Sequence, residues 1–484
     1  MGRLATVPAA LPLPVAALAV FALAVPQIYL LPEGTIDISL STVLAFLLVP
    51  TVTVWVWRHP GGRRLLRSLL VYAVVALMAI RVLAMLWSPD TGYGRLPVAL
   101  LGQFLITFVL FYGAASESPG LLLRMRYVYW PFVMLQSLLV ALFRLFPAVE
   151  DAYFRSVAGV FAGQNTVGGL FDVNRNNVLS PLKSGGVFVN ANVAGLFLGV
   201  SAMAAIAVWT RTRRRTELVA AVAALAGVWF TGSKSGQMFS VVLPAAAIVA
   251  LHFRKLAPAV RRTLLIAGGV LAAAFIAVLA LAGGPFAVAV RETFVQRTDI
   301  WGYGAEAFAE HPLLGLGWGG WQQGFAAYAA AHGIYNPNFP PHNVLLAAWA
   351  ATGLAGLALT LLVFGAMLRL ALRAMKRERA FAVWAGAAIV WMTVQAMGEN
   401  TDVFGEIHLI PVLALLLSHL VPAAQEEEQE ADDVPDADFW NRPTSALPTV
   451  GNVHLQPGPG PADVPAAVHR AGPGDGRPGG DRDA

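Results

Sequence analysis

Apolar residues in this chain fall into long blocks separated by short polar runs, with neither the alternation of a half-exposed strand nor the narrow stripe of a surface helix. Many blocks reach about 20 residues, the length a helix needs to cross roughly 30 Å of hydrocarbon. Twelve such blocks are read, at about 11–31, 38–57, 66–87, 96–114, 126–147, 185–209, 216–232, 236–253, 263–283, 342–368, 380–398 and 404–422. Unpaired strand edges cannot be left in lipid, so the pattern predicts an all-α polytopic membrane protein with about 12 transmembrane helices. Composition agrees. The 484 residues are 57% hydrophobic and 13% charged, against about a quarter charged in soluble domains, and mean hydropathy is +0.63. The N-terminus carries Arg3 and a proline-interrupted apolar stretch (Pro8, Pro12, Pro14, Pro26) without a small-residue cleavage site, and is read as a retained first span.

Charge sets the orientation. Alternate loops are basic: Arg58, Arg63, Arg64 and Arg67; Arg124 and Arg126; Arg211 and Arg213 to Arg215; Arg254, Lys255, Arg261 and Arg262; Arg369, Arg373, Lys376, Arg377 and Arg379. The intervening loops are acidic or sparsely charged, as at Glu33 and Asp37, Asp90 and Arg95, or Glu399, Asp402 and Glu406. The positive-inside rule places the basic loops and both termini in the cytoplasm. It also accounts for the net charge of +5 without a nucleic-acid partner. The chain has no cysteine, which excludes disulfides, thiol nucleophiles and cysteine-ligated metals.

Three external segments follow from this topology. They are the loop of about 148–184, the turn Thr231-Gly232-Ser233-Lys234-Ser235-Gly236, and a loop of nearly sixty residues at about 284–341. The last holds Trp301, Tyr303, Phe308, Trp318, Trp321, Phe325, Tyr328 and Tyr335, too aromatic a set for disorder. It predicts a small helical external cap between spans nine and ten, with helices at 299–311 and 320–332 joined by a glycine-rich stretch. The transmembrane domain is thus read as 1–422. Residues 423–484, acidic and then rich in Pro and Gly, are read as a disordered cytoplasmic tail. No internal repeat is visible.

Several polar residues lie at external span ends. His342, after Pro340 and Pro341, either points into an outward cavity, where imidazole can take up a proton near neutrality, or caps a helix at the interface. Arg297 lies four residues before Trp301, so on a helix the two share a face. Its guanidinium either grips a phosphate with the indole alongside or pairs with Asp299 or Glu292. Lys234 either faces function at that depth or snorkels to headgroups. Asn190 and Asn192, at the start of span six, serve as ligand contacts or as interhelical glue. Arg81, inside span three, either lines the cavity or is buried with a partner. Cations and a histidine around an outward cavity suit a diphosphate leaving group and suit a cation badly. The external loops carry no paired carboxylates or Asp-x-Asp, which disfavours a metal-dependent sugar-nucleotide enzyme; neither metal nor cofactor is expected.

Over about residues 185–420 these residues resemble the O-antigen ligase and O-antigen polymerase superfamily of bacterial membrane glycosyltransferases. The resemblance rests on Gly-x-Phe-x-Asn-x-Asn-x-Ala at Gly186 to Ala194, Thr-Gly-Ser-basic-Ser at Thr231 to Ser235, and Arg-x-x-x-Trp at Arg297 to Trp301. It rests further on His-Pro-Leu-Leu-Gly-x-Gly at His311 to Gly317, His-Asn-x-x-Leu at His342 to Leu346, and Gly353-Leu354-x-Gly356-Leu357. The resemblance implies a GT-C-like membrane enzyme of the bacterial inner membrane. Such an enzyme transfers a glycan from an undecaprenyl-diphosphate donor to a hydroxyl of a glycan, lipid or protein acceptor on the external face, without metal. It implies that His342 assists attack while Arg297 and Lys234 hold the diphosphate, and makes Asn190, Asn192, Arg81, Trp301, His311 and Asn343 candidate substrate contacts. At position 234 arginine is the commoner residue; lysine keeps the charge and loses the fork. The alternative is a transporter or flippase of lipid-linked sugars, a class that tends to show repeats and a midplane site.

Overall fold

A computed structural model describes residues 12–23, 39–118, 120–162, 182–255, 257–263, 266, 269–270, 285–334, 338–399 and 401–422. Among these the architecture is helical throughout, and eight helices are long and apolar enough to cross a membrane: Leu40–Arg58, Leu69–Leu86, Gly92–Glu117, Arg126–Leu145, Ala191–Thr212, Lys234–His252, Val344–Ala374 and Arg379–Ala396. These correspond to eight of the twelve apolar blocks. The first and last blocks form shorter apolar helices, Leu13–Ala22 and Ile410–Leu420, and the seventh forms a helix of 17 residues, Arg215–Thr231. The block at 263–283 falls almost wholly outside the described residues, as do most of the external loop at 163–181 and the tail from 423. Apolar side chains such as Leu47, Trp57, Leu86 and Val222 stand exposed on the helices, where a lipid solvent removes any penalty for them.

The helices that frame the site are α1 (Trp130–Leu145), α2 (Ala191–Thr212), α3 (Arg215–Thr231), α4 (Lys234–His252), α5 (Pro285–Glu310), α6 (Gly320–His332), α7 (Val344–Ala374) and α8 (Arg379–Ala396). At the centre is α2, packed against α1, α3, α4 and α8. Its sequence explains the position. Gly195, Gly199, Ala202 and Ala205 leave a thin surface that neighbouring backbones and large rings can approach. A Cβ on Gly199 would lie 2.0 Å from the Trp391 ring of α8, and one on Gly195 would lie 3.1 Å from Ser233. Glycine at 199 therefore seats the indole that fixes α8, and glycine at 195 seats the turn that opens α4. Tyr129 Oη and Ser201 Oγ tie α2 to the start of α1 with a buried hydrogen bond of 2.9 Å.

Helices α5 and α6, called the cap below, stand where the aromatic pattern predicts two helices, but α5 begins at Pro285 rather than near 299. Tyr303, Trp321 and Phe325 meet in an aromatic cluster with Trp349 and Ala350 of α7. This cluster bolts the cap to the membrane domain, which is why so many rings are spent on a loop.

Between α5 and α6, the stretch His311–Gly320 forms a clip made largely of backbone. Leu316 N–H donates to Ala350 O at 2.7 Å and Leu354 N–H donates to Leu313 O at 3.2 Å, while Trp349 Nε1–H donates to Pro312 O at 3.1 Å. On the other side, Trp318 N–H donates to Ser88 Oγ at 2.7 Å and its indole N–H to Arg81 O at 3.0 Å. The break in α7 that receives the clip is Gly353, at φ 69° and ψ −163°, a conformation open essentially to glycine alone.

Arg81 is buried and held by Asp402 through two hydrogen bonds, Nη1 to Oδ2 at 2.8 Å and Nη2 to Oδ1 at 2.6 Å, with Pro97 O accepting a third at 3.1 Å. A forked guanidinium–carboxylate pair of this kind is strong once formed, and breaking it strands a buried charge. Asp402→Ala is therefore expected to cost about 3–5 kcal/mol, read as a lowered melting midpoint of the detergent-solubilised protein. An unchanged midpoint would show that the pair is not a structural tie.

Candidate functional site

A cavity of about 520 Å³ opens where six separate parts of the chain converge. The first turn of α4 gives Lys234 and Ser235, the cap helix α5 gives Arg297, Ile300 and Trp301, the segment before α7 gives His342, and the end of α8 with the residues just after it gives Gln395 and Glu399. Asn192 of α2 and Lys183 complete the polar wall. Five of the candidates read from sequence thus meet in one place: His342, Arg297, Lys234, Trp301 and Asn192.

Each is positioned for a local reason. Gly232, at φ 70°, turns the chain out of α3, and Thr231 Oγ1 accepts from Ser233 N–H at 3.0 Å. Ser233 Oγ then caps α4 by accepting from Gly236 N–H at 3.3 Å. Lys234 becomes the first residue of that helix, so its ammonium and the positive end of the helix dipole bear on the same wall. Arg297 and Trp301, one turn apart on α5, both reach the cavity. Asn343 caps α7, its Oδ1 accepting from Leu345 N–H at 2.9 Å and Leu346 N–H at 3.2 Å. His342 precedes it at φ 49°, a left-handed conformation uncommon for a side chain of this kind. Strained non-glycine residues cluster at functional sites.

Among the described residues Arg297 pairs with Glu399 and not with Asp299. Its Nη2 lies 3.6 Å from Glu399 Oε1, with both side chains largely buried. A Cβ on Gly398 would stand 3.2 Å from Arg297 Nη1, so the glycine leaves room for the guanidinium. Glu399 Oε2 also accepts from Asn192 Nδ2–H at 2.9 Å, and Gln395 Nε2–H donates to Asn192 O at 3.0 Å. Burial pushes the Glu399 carboxyl above its ordinary range, opposed by the nearby charges of Arg297 and Lys183 and by the Asn192 hydrogen bond. Burial, reinforced by the Arg297 charge, pushes His342 down to about 4. Its imidazole is therefore neutral at pH 7, and its Nδ1 is buried with no hydrogen-bond partner among the described residues.

Four candidates do not line this cavity, and each is used elsewhere. Arg81 belongs to the pair with Asp402. Asn190 is exposed and caps α2, its Oδ1 accepting from Asn192 N–H at 2.8 Å and Val193 N–H at 3.4 Å. Asn343 caps α7. His311 is exposed at the head of the clip. Its motif is structural: a Cβ on Gly315 would fall 2.2 Å from Trp349 O, and one on Gly317 would fall 2.9 Å from Ser88 Cα. Conversely, Lys183, Gln395 and Glu399 line the cavity without having been singled out by the sequence. Asparagine just before an apolar run is a cap signature, and it identifies Asn190 and Asn343 from sequence alone.

The architecture and site define a multi-pass helical membrane protein with a cation-lined cavity. A family model described as O-Antigen ligase matches residues 219–361. That stretch carries the turn at Lys234, Arg297 and Trp301, the clip and His342, so the resemblance to the O-antigen ligase and polymerase superfamily is borne out there. This supports a glycosyltransferase-like role in surface polysaccharide biosynthesis. No curated protein matches the chain.

Proposed function

We propose that this chain transfers or polymerises a glycan from an undecaprenyl-diphosphate donor onto an acceptor hydroxyl at the external face of the bacterial inner membrane, with both termini cytoplasmic. The observation that carries the reading is the meeting, in one cavity, of Lys183, Lys234 and Arg297 with a neutral histidine and a single carboxylate, Glu399. Among the described lining residues basic groups outnumber carboxylates three to one, an imbalance that suits a dianionic diphosphate ester.

In the proposed reaction the acceptor oxygen attacks the anomeric carbon of the donor sugar, and its proton passes to His342. The bond from that carbon to the diphosphate oxygen breaks, and the electron pair leaves with the diphosphate. Arg297 and Lys234 stabilise the charge that develops on the leaving group. Departure opposite to attack inverts the anomeric configuration. The electrostatics also favour an order of events. The charge of Arg297 depresses His342 in the empty site, and a bound diphosphate offsets that charge. Donor binding therefore raises the proton affinity of the imidazole and makes it the stronger base once the leaving group is in place.

A deletion strain supplies the test. Wild type restores surface glycan, whereas Arg297→Ala at matched protein level leaves undecaprenyl-linked glycan on the external face. The length of that species separates polymerase from ligase. Full complementation by Arg297→Ala would overturn the reading.

The pH dependence has a definite sign. A base with its pKa depressed to about 4 is competent above that value and lost below it. The acid limb of kcat/KM, which reports the free enzyme, is expected near pH 4 rather than 6.5. In Arg297→Ala one of the two depressing causes is gone, so the limb of the residual activity moves upward. An acid limb at 6.5 in wild type would remove His342 from the role of base.

A further inference from the structure

We propose that Glu399 is a positioning residue for the transfer: a resident anion that holds Arg297 over the empty cavity and gives it up to the donor diphosphate. The inference rests on the donor reading above. It assigns a role to the one carboxylate among the described residues of the cavity wall, which lies outside every motif of the resemblance.

This carboxylate is fixed on one side and loose on the other. Its Oε2 accepts from Asn192 Nδ2–H at 2.9 Å, and Asn192 is itself locked in place. Gln395 Nε2–H donates to Asn192 O at 3.0 Å, and Trp391 Nε1–H donates to Gln395 Oε1 at 2.8 Å. Trp391 is the ring seated on Gly199, so a continuous chain of contacts runs from the packing of α2 against α8 to the Glu399 carboxyl. On the other side, Oε1 stands 3.6 Å from Arg297 Nη2, against 2.6 Å in the Arg81–Asp402 fork. The fork is a permanent tie; the contact at Arg297 is an ion pair without its close hydrogen bonds.

Both properties suit a placeholder. A free arginine side chain loses rotamer entropy when a ligand fixes it. A fixed anion nearby draws the guanidinium to the wall beforehand, so that part of the ordering precedes the donor. The long contact is also exchangeable. A phosphate offers the guanidinium short, charge-assisted bonds in fork geometry, which the contact with Glu399 does not, so a bound diphosphate takes Arg297 from it. Gly398, where a Cβ would stand 3.2 Å from Arg297 Nη1, leaves out the side chain that would wedge the guanidinium in place. Glu399 thus has two opposed effects. Its charge competes with the diphosphate and weakens binding, while its reach aligns Arg297 and speeds transfer.

The test measures binding of undecaprenyl diphosphate to the full chain in nanodiscs. Transfer is followed in membranes of the deletion strain, which hold the native donor and acceptor. Glu399→Gln keeps an oxygen for Asn192 Nδ2–H and loses the charge. It is expected to bind the lipid about threefold more tightly, as for removal of a partly screened like charge, and to transfer about tenfold more slowly, as for a misaligned group. Glu399→Asp keeps the charge and gives up the reach, so its transfer slows while its affinity stays close to wild type. In an Arg297→Ala background Glu399→Gln adds no further slowing, because the carboxylate acts through the arginine. Additive slowing in that background overturns the inference, and so does a Glu399→Gln affinity at or below that of wild type. Wild-type transfer by Glu399→Asp also overturns it, whatever the fold of Glu399→Gln. An Arg297→Ala protein that binds the lipid like wild type overturns the donor reading instead, and this inference with it.

Discussion

His342→Ala is expected to lower glycan transfer by about 10²–10⁴-fold, the range for removing a positioned general base. The protein should still insert and fold, because the capping of α7 belongs to Asn343 and not to the imidazole. The side chain removed is only half-buried, which limits the packing lost. Donor binding should survive, since Arg297 and Lys234 remain, and the loss should fall on kcat with KM nearly unchanged. Single-turnover transfer with purified protein checks this. Wild-type turnover in His342→Ala would remove the histidine from the chemistry, and a KM effect alone would make it a binding residue.

Gly353→Ala is expected to be the most damaging single-methyl change in the region of the clip. At φ 69° and ψ −163° an L-residue costs about 1–3 kcal/mol. The added Cβ would also stand 1.9 Å from Leu313 O, and such overpacking costs typically about 1–3 kcal/mol more. The methyl group would push against the clip, so the Leu354 N–H to Leu313 O and Leu316 N–H to Ala350 O bonds loosen together. The expected readouts are a lower melting midpoint and protease cleavage within 311–320, with the lipid-embedded helices retained. Ala at 353 with wild-type stability would show that the clip accommodates a side chain.

Much of this architecture was legible before the structure, and the boundary follows physical lines. Apolar block length reports each helix independently of its neighbours, so the eight long spans and the cap were readable from local pattern. The blocks that became short helices, such as Ile410–Leu420, count the same on a hydropathy scale, because hydropathy does not register where a helix starts. In the site, His342, Arg297, Trp301, Lys234 and Asn192 were found because unusual residue types stand at span ends. Glu399 and Lys183 were not, because their meaning lies in partners some 207 residues away for Glu399 and Asn192 or in a backbone contact with Thr231. Arg81 shows the converse. Its charge within a span marked it for function, and only the fold reveals Asp402 waiting beside it. His311 was misleading in another way: its motif is distinctive because glycine backbone must dock there, and no sequence rule separates that from chemistry.

The break at Gly353 has a mechanical consequence. The first turns of α7, from Val344 to Thr352, are fastened to the clip and to the aromatic cluster of the cap, and the remainder of α7, a helix long and apolar enough to cross a membrane, begins with the clip bond at Leu354. Helices answer changes in bilayer thickness by tilting. The clip bonds α7 on both sides of the break, at Ala350 O and at Leu354 N–H, so tilting of the long part of the helix carries the clip and the cap with it. The wall of the cavity that α5 contributes is thereby coupled to the thickness of the layer around α7.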